Sequence, residues 1–227
     1  MLLFQKRKFN GVRAVIFDMD GTLIDSMALY YDIIRDIMGW LRIEAELSQE
    51  YLFETLSEGK RLSDIIFSPD LKDRESVVVQ FNRMAMDAFK DVFERGDVEL
   101  IDGVEVLLEE LRRRGFSLAI VTSSMTEIVV PFLKAKHLAP YLECVLGRDE
   151  VPRLKPSPDP LLKCVAILNV EPSEAVYVGD SVVDIQAGKA AGTGTVGVLT
   201  GTAVLDRLRA EGPDVILDSV GDLMAVL

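Results

Sequence analysis

Two aspartates close the first apolar run of the chain. Asp18 and Asp20 end the run Val12–Asp18 with one residue between them, and Gly21 then allows the chain to turn away. Burying a charge without a partner is costly, so two acids at the end of a buried strand favour a site that binds a cation. A helix cap followed by a turn is the structural alternative for this segment.

A second pair of aspartates follows a later apolar run. Asp180 and Asp184 come after Ala175–Gly179 and are separated by about one helical turn. If the two apolar runs form neighbouring strands, both pairs converge in an oxygen-rich cluster, which suits a hard cation. A site with few protein ligands plus water favours Mg²⁺ over Ca²⁺. Zinc is disfavoured because the only histidine is His137.

Two further segments could bind an anion. Thr122-Ser123-Ser124 ends another apolar run with hydroxyls and backbone amides in front of a predicted helix, an arrangement suited to an oxyanion or a phosphate. Lys155 offers a cation in a loop stiffened by Pro156 and Pro158. Each segment taken alone has an ordinary explanation, a helix cap for the hydroxyls and a solvated loop for the lysine.

The elements that position these side chains can be predicted from the sequence. Short apolar runs typical of strands alternate with segments whose apolar residues have helical spacing. The alternation predicts an α/β fold, a Rossmann-like core of three α/β/α layers with a mostly parallel sheet. Strands are predicted at Val12–Asp18, Phe116–Thr122, Glu143–Gly147, Ala175–Gly179, Thr195–Leu199 and Asp214–Leu217. Helices are predicted between Asp102 and Gly115 and at Met125–His137, Pro158–Leu168, Val182–Ala191 and Thr202–Ala210.

An inserted helical domain is predicted between the first two core strands. Roughly a hundred residues separate them, where a crossover needs about a dozen. The segment 24–97 has apolar residues at helical spacing and lacks a clear strand, with Trp40, Phe53 and Phe67 expected in its core. Residues 1–23 and 98–227 would then form the catalytic core. The insert leaves this core next to Asp18, so we expect it to cover the strand ends as a lid.

Composition narrows the class of protein. The chain has 25 Lys+Arg against 37 Asp+Glu, a net charge of −12, which argues against a nucleic-acid partner bound through a broad basic face. No apolar run reaches the roughly 20 residues of a membrane helix. The start of the chain, with the polar tail Lys6–Lys8, lacks the pattern of a signal peptide. We therefore expect a cytoplasmic protein with Cys144 and Cys164 reduced in its core; the oligomeric state is not indicated.

The four polar segments together resemble the motifs of the haloacid dehalogenase-like (HAD) hydrolase superfamily. The matching residues, from Val12 to the C-terminal end, are Asp18-x-Asp20-Gly21-Thr22, Thr122, Lys155 and Gly179-Asp180 followed by Asp184. The position of the helical insert is similar to that of the C1 cap in the phosphoglycolate phosphatase and β-phosphoglucomutase branch.

The resemblance implies specific roles. Asp18 would be the nucleophile that becomes an aspartyl phosphate, and Asp20 the general acid and then the general base. Mg²⁺ would be the cofactor, held by a carboxylate oxygen of Asp18, the backbone carbonyl of Asp20 and Asp180, with Asp184 behind them or as an alternative ligand. The non-bridging phosphate oxygens would be bound by Thr122, the amide of Ser123 and Lys155.

The implied activity is hydrolysis of small phosphomonoesters. Asp20 favours hydrolysis of phosphate esters. Haloacid dehalogenases resemble this motif but have a tyrosine at the position of Asp20, and phosphonatases have an alanine there. The partner would be a small phosphorylated metabolite, with Lys60 or Arg61 of the insert meeting its leaving group unless they belong to a plain polar turn. Two alternatives remain open: a phosphosugar mutase of the β-phosphoglucomutase type, and a phosphate-accepting signalling module of the receiver type.

Overall fold

The computed structural model describes residues 9–68 and 73–227. The predicted polar tail Lys6–Lys8 lies outside these residues. The strands are β1 (Ala14–Phe17), β2 (Ile24–Asp25), β3 (Glu99–Leu100), β4 (Ser117–Val121), β5 (Cys144–Leu146), β6 (Ala175–Gly179), β7 (Gly194–Val198) and β8 (Val215–Leu217). The helices are α1 (Met27–Trp40), α2 (Gln49–Ser57), α3 (Leu62–Ile66), α4 (Arg74–Arg95), α5 (Val104–Arg113), α6 (Thr126–Ala135), α7 (Asp159–Leu168), α8 (Val182–Ala191) and α9 (Leu205–Glu211).

Six of these strands form one parallel sheet. Their order is β5-β4-β1-β6-β7-β8, so β1 lies between β4 and β6. Each strand contacts its neighbours in parallel register, with Phe17 beside Ile120 on one side and Val178 on the other. The six predicted core strands are all present, and their ends differ from the prediction by at most two residues.

Both faces of the sheet are covered, which explains why its strands are apolar throughout. Alternate side chains of a strand point to opposite faces. Val15 and Phe17 pack in a cluster with α5 and α6, whereas Ala14 and Ile16 pack in a second cluster with α7 and α8. This arrangement confirms the predicted three-layer α/β/α fold.

The segment between β1 and β4 is helical, with one exception at its edge. Ile24–Asp25 pairs with Glu99–Leu100 as a two-residue antiparallel ribbon, so the expectation of no strand in residues 24–97 is wrong at that point. Two residues are too few to produce a recognisable alternation. The ribbon joins the first and last parts of the segment beside the end of β1.

Helices α1 to α4, here called the helical insert (residues 27–95), have an apolar cluster of their own. Ile34, Leu52 and Phe81 are fully buried in it, and the Phe67 ring meets Phe81 edge-on with centroids 5.4 Å apart. The prediction for Trp40 is wrong, because its side chain is 67% exposed. On α1 it falls about a third of a turn from the centre of the buried stripe.

Two smaller expectations concern the cysteines and the membrane. Cys144 of β5 and Cys164 of α7 are buried and not joined by a disulfide, as predicted. Among the described residues, no helix combines the length and apolar character needed to span a membrane.

Candidate active site

The carboxyl ends of β1, β4 and β6 bring the predicted polar segments together. Because Phe17 is in register with Ile120 and Val178, the residues that follow these strands emerge side by side. Asp18, Thr122 and Asp180 are all buried there, with at most 7% of their surface exposed. This is the edge at which open parallel sheets bind ligands.

Lys155 enters the same edge from the loop between β5 and α7. Its side chain is 4% exposed, and its ammonium donates to Asp18 Oδ1 at 2.8 Å and to Asp184 Oδ1 at 2.6 Å. The aliphatic stem is therefore buried and the charge lies between two carboxylates. These two contacts join Lys155 to residues that are 137 and 29 positions away in the sequence.

Three carboxylates form a compact anionic cluster around this lysine. One oxygen from each of Asp18, Asp180 and Asp184 lies within 4.8 Å of the others. Burial raises the pKa of Asp18 well above its ordinary value, although Lys155 opposes the shift. Burial, assisted by Asp184, also raises the pKa of Asp180 to about 6. One ammonium against three carboxylates leaves an excess of negative charge, so the donor set fits a hard divalent cation such as Mg²⁺.

Asp180 is oriented by a loop that follows β7. Its Oδ2 accepts hydrogen bonds from the amide of Thr202 at 2.6 Å and from the Thr202 hydroxyl at 2.9 Å. Among the described residues, its Oδ1 has one contact, a long one of 3.4 Å with the Thr22 hydroxyl. Close packing depends on two glycines: Gly21 has φ +76°, and a Cβ added there would lie 2.7 Å from the Cα of Gly201. Thr202 therefore holds Oδ2 of Asp180, whereas Oδ1 makes no short hydrogen bond among the described residues.

Asp184 lies in the first turn of α8, and both of its carboxylate oxygens accept hydrogen bonds. Its Oδ2 accepts from the Ser181 hydroxyl and, at 3.0 Å, from the backbone amide of Ser181. The Asp184 amide in turn donates to Ser181 Oγ at 3.3 Å, which completes a capping box. Its Oδ1 accepts from Lys155 and from the Tyr177 hydroxyl, the latter at 2.8 Å. With both oxygens occupied, Asp184 links the helix start to the lysine.

Asp20 lies beside this cluster and has different partners. The Ser26 hydroxyl donates to its Oδ1 at 2.8 Å, and the Ser124 hydroxyl donates to its Oδ2 at 2.9 Å. Burial raises the pKa of Asp20, although the two serines and Lys155 oppose the shift. Two hydroxyl donors and a raised pKa allow this carboxyl group to hold a proton and to release it.

The Thr122 segment presents polar atoms in front of α6. The amide of Ser124 donates to the Thr122 hydroxyl at 3.1 Å, which holds the turn. Ser123 is exposed, and among the described residues its side chain makes no hydrogen bond. The hydroxyl of the next residue, Ser124, donates to Asp20.

The insert approaches the site through the turn after α2. Ser57 Oγ accepts a hydrogen bond from the amide of Val182 at 3.2 Å, and Gly59, with φ +76°, lies against Val183. Lys60 forms an ion pair with Glu58 at 3.1 Å instead of reaching the acid cluster. Arg61 is exposed at the start of α3.

Four contacts were not anticipated from sequence. Ser26 and Ser124 hold Asp20, Thr202 holds Asp180, and Tyr177 lies between Lys155 and Asp184. The hydroxyl-rich segment Thr200–Thr202, which directly follows a predicted strand, was a signal for the third contact. Tyr177 gave no signal, because within an apolar strand a tyrosine is indistinguishable from a core aromatic.

Comparison with known proteins agrees with this geometry. The family model described as haloacid dehalogenase-like hydrolase matches residues 15–198. The phosphoglycolate phosphatase of Escherichia coli K12 is 32% identical over 97% of this chain and 94% of its own length.

Solved structures share the fold. A predicted phosphoglycolate phosphatase from Haemophilus somnus matches with a TM-score of 0.79 at 24% identity, covering 96% of this chain and 98% of that one. A Thermotoga maritima protein assigned as a β-phosphoglucomutase matches with a TM-score of 0.70 at 24% identity, covering 95% and 100%. The resemblance of the four motifs is thereby confirmed: the chain belongs to the haloacid dehalogenase-like hydrolase family, as an enzyme of the phosphatase type.

Proposed function

We propose that the protein is a Mg²⁺-dependent phosphatase that hydrolyses small phosphomonoesters, such as phosphoglycolate or a sugar phosphate, through a phosphorylated Asp18. The observation that carries the proposal is the position of the Asp18 carboxylate. It ends the central strand, meets Lys155 at 2.8 Å and lies within 4.8 Å of oxygens of Asp180 and Asp184. The similarity to phosphoglycolate phosphatases supports the substrate class.

In the first half of the reaction, Asp18 attacks phosphorus. Among the described residues only its Oδ1 accepts a hydrogen bond, so Oδ2 is available as the nucleophile. The new bond joins Oδ2 to phosphorus, and the bond from phosphorus to the ester oxygen breaks. Asp20, whose pKa is raised by burial, gives its proton to the leaving alkoxide.

In the second half, water hydrolyses the aspartyl phosphate. Asp20, now ionised and held by Ser26 and Ser124, takes a proton from the water that attacks phosphorus. The bond between phosphorus and Asp18 breaks, which releases inorganic phosphate and restores the carboxylate.

Mg²⁺ would be held by a carboxylate oxygen of Asp18, the backbone carbonyl of Asp20 and Oδ1 of Asp180. Asp184, whose oxygens are both occupied, would support the site from behind. When bound, the ion neutralises negative charge on the transferring phosphoryl group. It would also compensate the repulsion from Asp184 and Asp180, which adds to the effect of burial in raising the pKa of Asp18.

The remaining phosphoryl oxygens would be bound by Thr122, the Ser123 amide and Lys155, whose ammonium would turn one N–H from Asp18 to the phosphoryl group. Ser123 is exposed and its side chain is unpaired among the described residues, so it can meet a ligand. Amides in front of α6 add the favourable end of a helix dipole. A buried ammonium beside the nucleophile keeps the phosphoryl group in line for attack.

We also propose that residues 24–97 act as a cap on the core formed by residues 1–23 and 98–227. The turn after α2 rests on the start of α8, close to Asp180 and Asp184, so a substrate must fit beneath it. A closing cap limits the substrate to small molecules. Lys60 and Arg61 would select the leaving group, which for Lys60 requires exchange of its Glu58 partner.

The test is a screen for release of inorganic phosphate with Mg²⁺ present. The panel should contain phosphoglycolate, hexose phosphates, nucleotides and pyrophosphate, each measured again in excess EDTA and after Mg²⁺ is restored. We expect turnover of at least one small phosphomonoester, abolished by EDTA and recovered with Mg²⁺. Absence of release from every ester, or full activity in EDTA, would contradict the proposal.

The same panel separates the alternatives. A mutase primed with a hexose bisphosphate converts hexose 1-phosphate to the 6-phosphate and releases little inorganic phosphate. A signalling module would instead accumulate a stable phosphorylated Asp18 without turnover. Phosphate release with no hexose isomer formed favours the phosphatase.

A further inference from the structure

Tyr177 is a buried tyrosine of β6 that contacts two charged groups of the site. Its side chain is 1% exposed. Its hydroxyl lies 2.8 Å from Asp184 Oδ1 and 3.1 Å from Lys155 Nζ, with the carbonyl of Val121 farther away at 3.3 Å. No step of the proposed reaction uses this hydroxyl.

The three hydrogen-bond donors of the Lys155 ammonium are matched by three acceptors. Asp18, Asp184 and Tyr177 accept one each. The ammonium is 5.8 Å from the centroid of the Tyr177 ring, which places it at the hydroxyl end of the ring and not over its face. The tyrosine therefore acts on the lysine through a directional hydrogen bond.

The Tyr177 hydroxyl has a single proton, which is best placed in a hydrogen bond donated to Asp184. The distance to Asp184 is 2.8 Å against 3.3 Å to the carbonyl of Val121, and a charged acceptor strengthens the bond. Tyr177 thus accepts from Lys155 and donates to the same carboxylate oxygen that Lys155 contacts. The three groups form a closed ring, so neither charge can rotate without breaking two hydrogen bonds.

We propose that Tyr177 is a positioning residue that fixes the Lys155 ammonium against Asp18 and Asp184. Without the hydroxyl, the two remaining partners are carboxylates, whose attraction is less directional, and one ammonium donor becomes free. The kinetic consequence rests on the proposed phosphatase function, whereas the placement of the lysine does not.

The variant Tyr177→Phe removes the hydroxyl and keeps the ring that packs between β6 and α7. Tyr31→Phe is the matched control, because the Tyr31 hydroxyl also donates a hydrogen bond, 2.9 Å to the carbonyl of Leu47, but within the insert. We expect Tyr177→Phe to lower kcat by about tenfold with KM within about twofold, and Tyr31→Phe to change neither.

A second measurement needs no substrate. Metal-free protein is treated briefly with acetic anhydride, and mass spectrometry gives the acetylation rate of Lys155 relative to that of the exposed Lys163. We expect this ratio to rise several-fold in Tyr177→Phe and to stay unchanged in Tyr31→Phe. The control removes any effect of a general loss of stability.

The outcomes are separable. If Tyr177→Phe lowers the melting temperature as Tyr31→Phe does, but leaves kcat and Lys155 acetylation unchanged, Tyr177 is merely structural and the proposal is wrong. If the wild-type protein turns over no phosphoester, the proposed function fails. The acetylation ratio alone then decides whether Tyr177 holds the lysine, with a rise supporting it and no change contradicting it.

Discussion

The carboxyl edge of the sheet and the helical insert hold their polar groups in opposite ways. At the sheet edge, Asp180 and Asp184 are almost completely buried and their orientation is fixed by hydrogen bonds from neighbouring residues. At the contact between insert and core, the charges are half exposed. Arg207 of α9 forms ion pairs with Glu54 and Glu58 of the insert, and roughly half of its side chain is exposed.

The two regions therefore differ in how firmly their polar groups are held. Buried hydrogen bonds to charged groups are strong and directional, whereas exposed ion pairs contribute little and are screened by salt. A rigid site beside a weakly attached insert would suit the proposed reaction, in which a phosphoryl group is aligned and the product is then released. The comparison predicts large effects for changes at the sheet edge and small effects for changes at the insert contact.

The largest effect is expected for Asp18→Asn. Replacing the proposed nucleophile should lower kcat by about a thousandfold or more, because the amide cannot form the covalent intermediate. Phosphate release measured beside circular dichroism checks that the fold remains. Asp25→Asn, a change at an exposed aspartate of the short ribbon, should retain full activity. Substantial turnover by Asp18→Asn would exclude it as nucleophile.

A smaller loss is expected for Gly201→Ala. The added Cβ would overlap the Asp180 carboxylate, so Asp180 must move and its Oδ1 is misplaced for a cation. We expect the Mg²⁺ concentration for half-maximal activity to rise by about tenfold or more. Titration of activity with Mg²⁺ tests this.

The matched control for that change is Gly39→Ala in the insert. A Cβ there meets nothing within 4 Å, and the residue lies inside α1. Its Mg²⁺ dependence should equal that of the wild type, and its free energy of unfolding should increase by up to about 1 kcal/mol. Equal Mg²⁺ dependence in both alanine variants would break the contrast between the two regions.

Sequence patterns were most informative where each strand carries its own signal. Asp18, Thr122 and Asp180 each follow an apolar run, and parallel strands bring such ends to one edge, so their convergence was predictable. The contacts of Asp20 were not predictable, because Ser124 is 104 residues away in the sequence. Whether the hydroxyl of Ser123 or that of Ser124 reaches Asp20 depends on the path of the turn. The contacts of Tyr177 were not predicted, because a tyrosine within an apolar strand has the same sequence pattern as any aromatic residue of the core.

Predictions were less accurate in the insert, where helical periodicity was the main pattern that the sequence offered. Phe67 is buried as expected, but Trp40 is exposed, since an aromatic side chain near the end of a helix need not face the core. The basic residues Lys60 and Arg61 were selected by charge. The contacts with the start of α8 are made instead by the uncharged Ser57 and Gly59, which the sequence did not distinguish from an ordinary turn.

An intermediate effect is expected for Ser57→Ala. This change leaves the buried amide of Val182 without its 3.2 Å partner, which should cost about 1 to 3 kcal/mol in unfolding free energy. It also detaches the turn from the start of α8, so KM should rise severalfold. Ser48→Ala removes the cap of α2, whose hydroxyl accepts from the amide of Tyr51. It should destabilise the protein with KM unchanged, and a shared KM shift would argue against a cap contact at Ser57.

The smallest effect is expected for Arg207→Gln, which removes the exposed ion pairs with Glu54 and Glu58. Because such pairs are well hydrated, KM should rise by no more than about threefold in dilute buffer. The difference from the wild type should disappear at high salt, where the pairs are screened in both proteins. Arg113→Gln, which loses an exposed pair with Glu110 on α5, should show no KM change at either salt concentration. A large, salt-independent loss of activity in Arg207→Gln alone would mean that the insert is held as rigidly as the sheet edge.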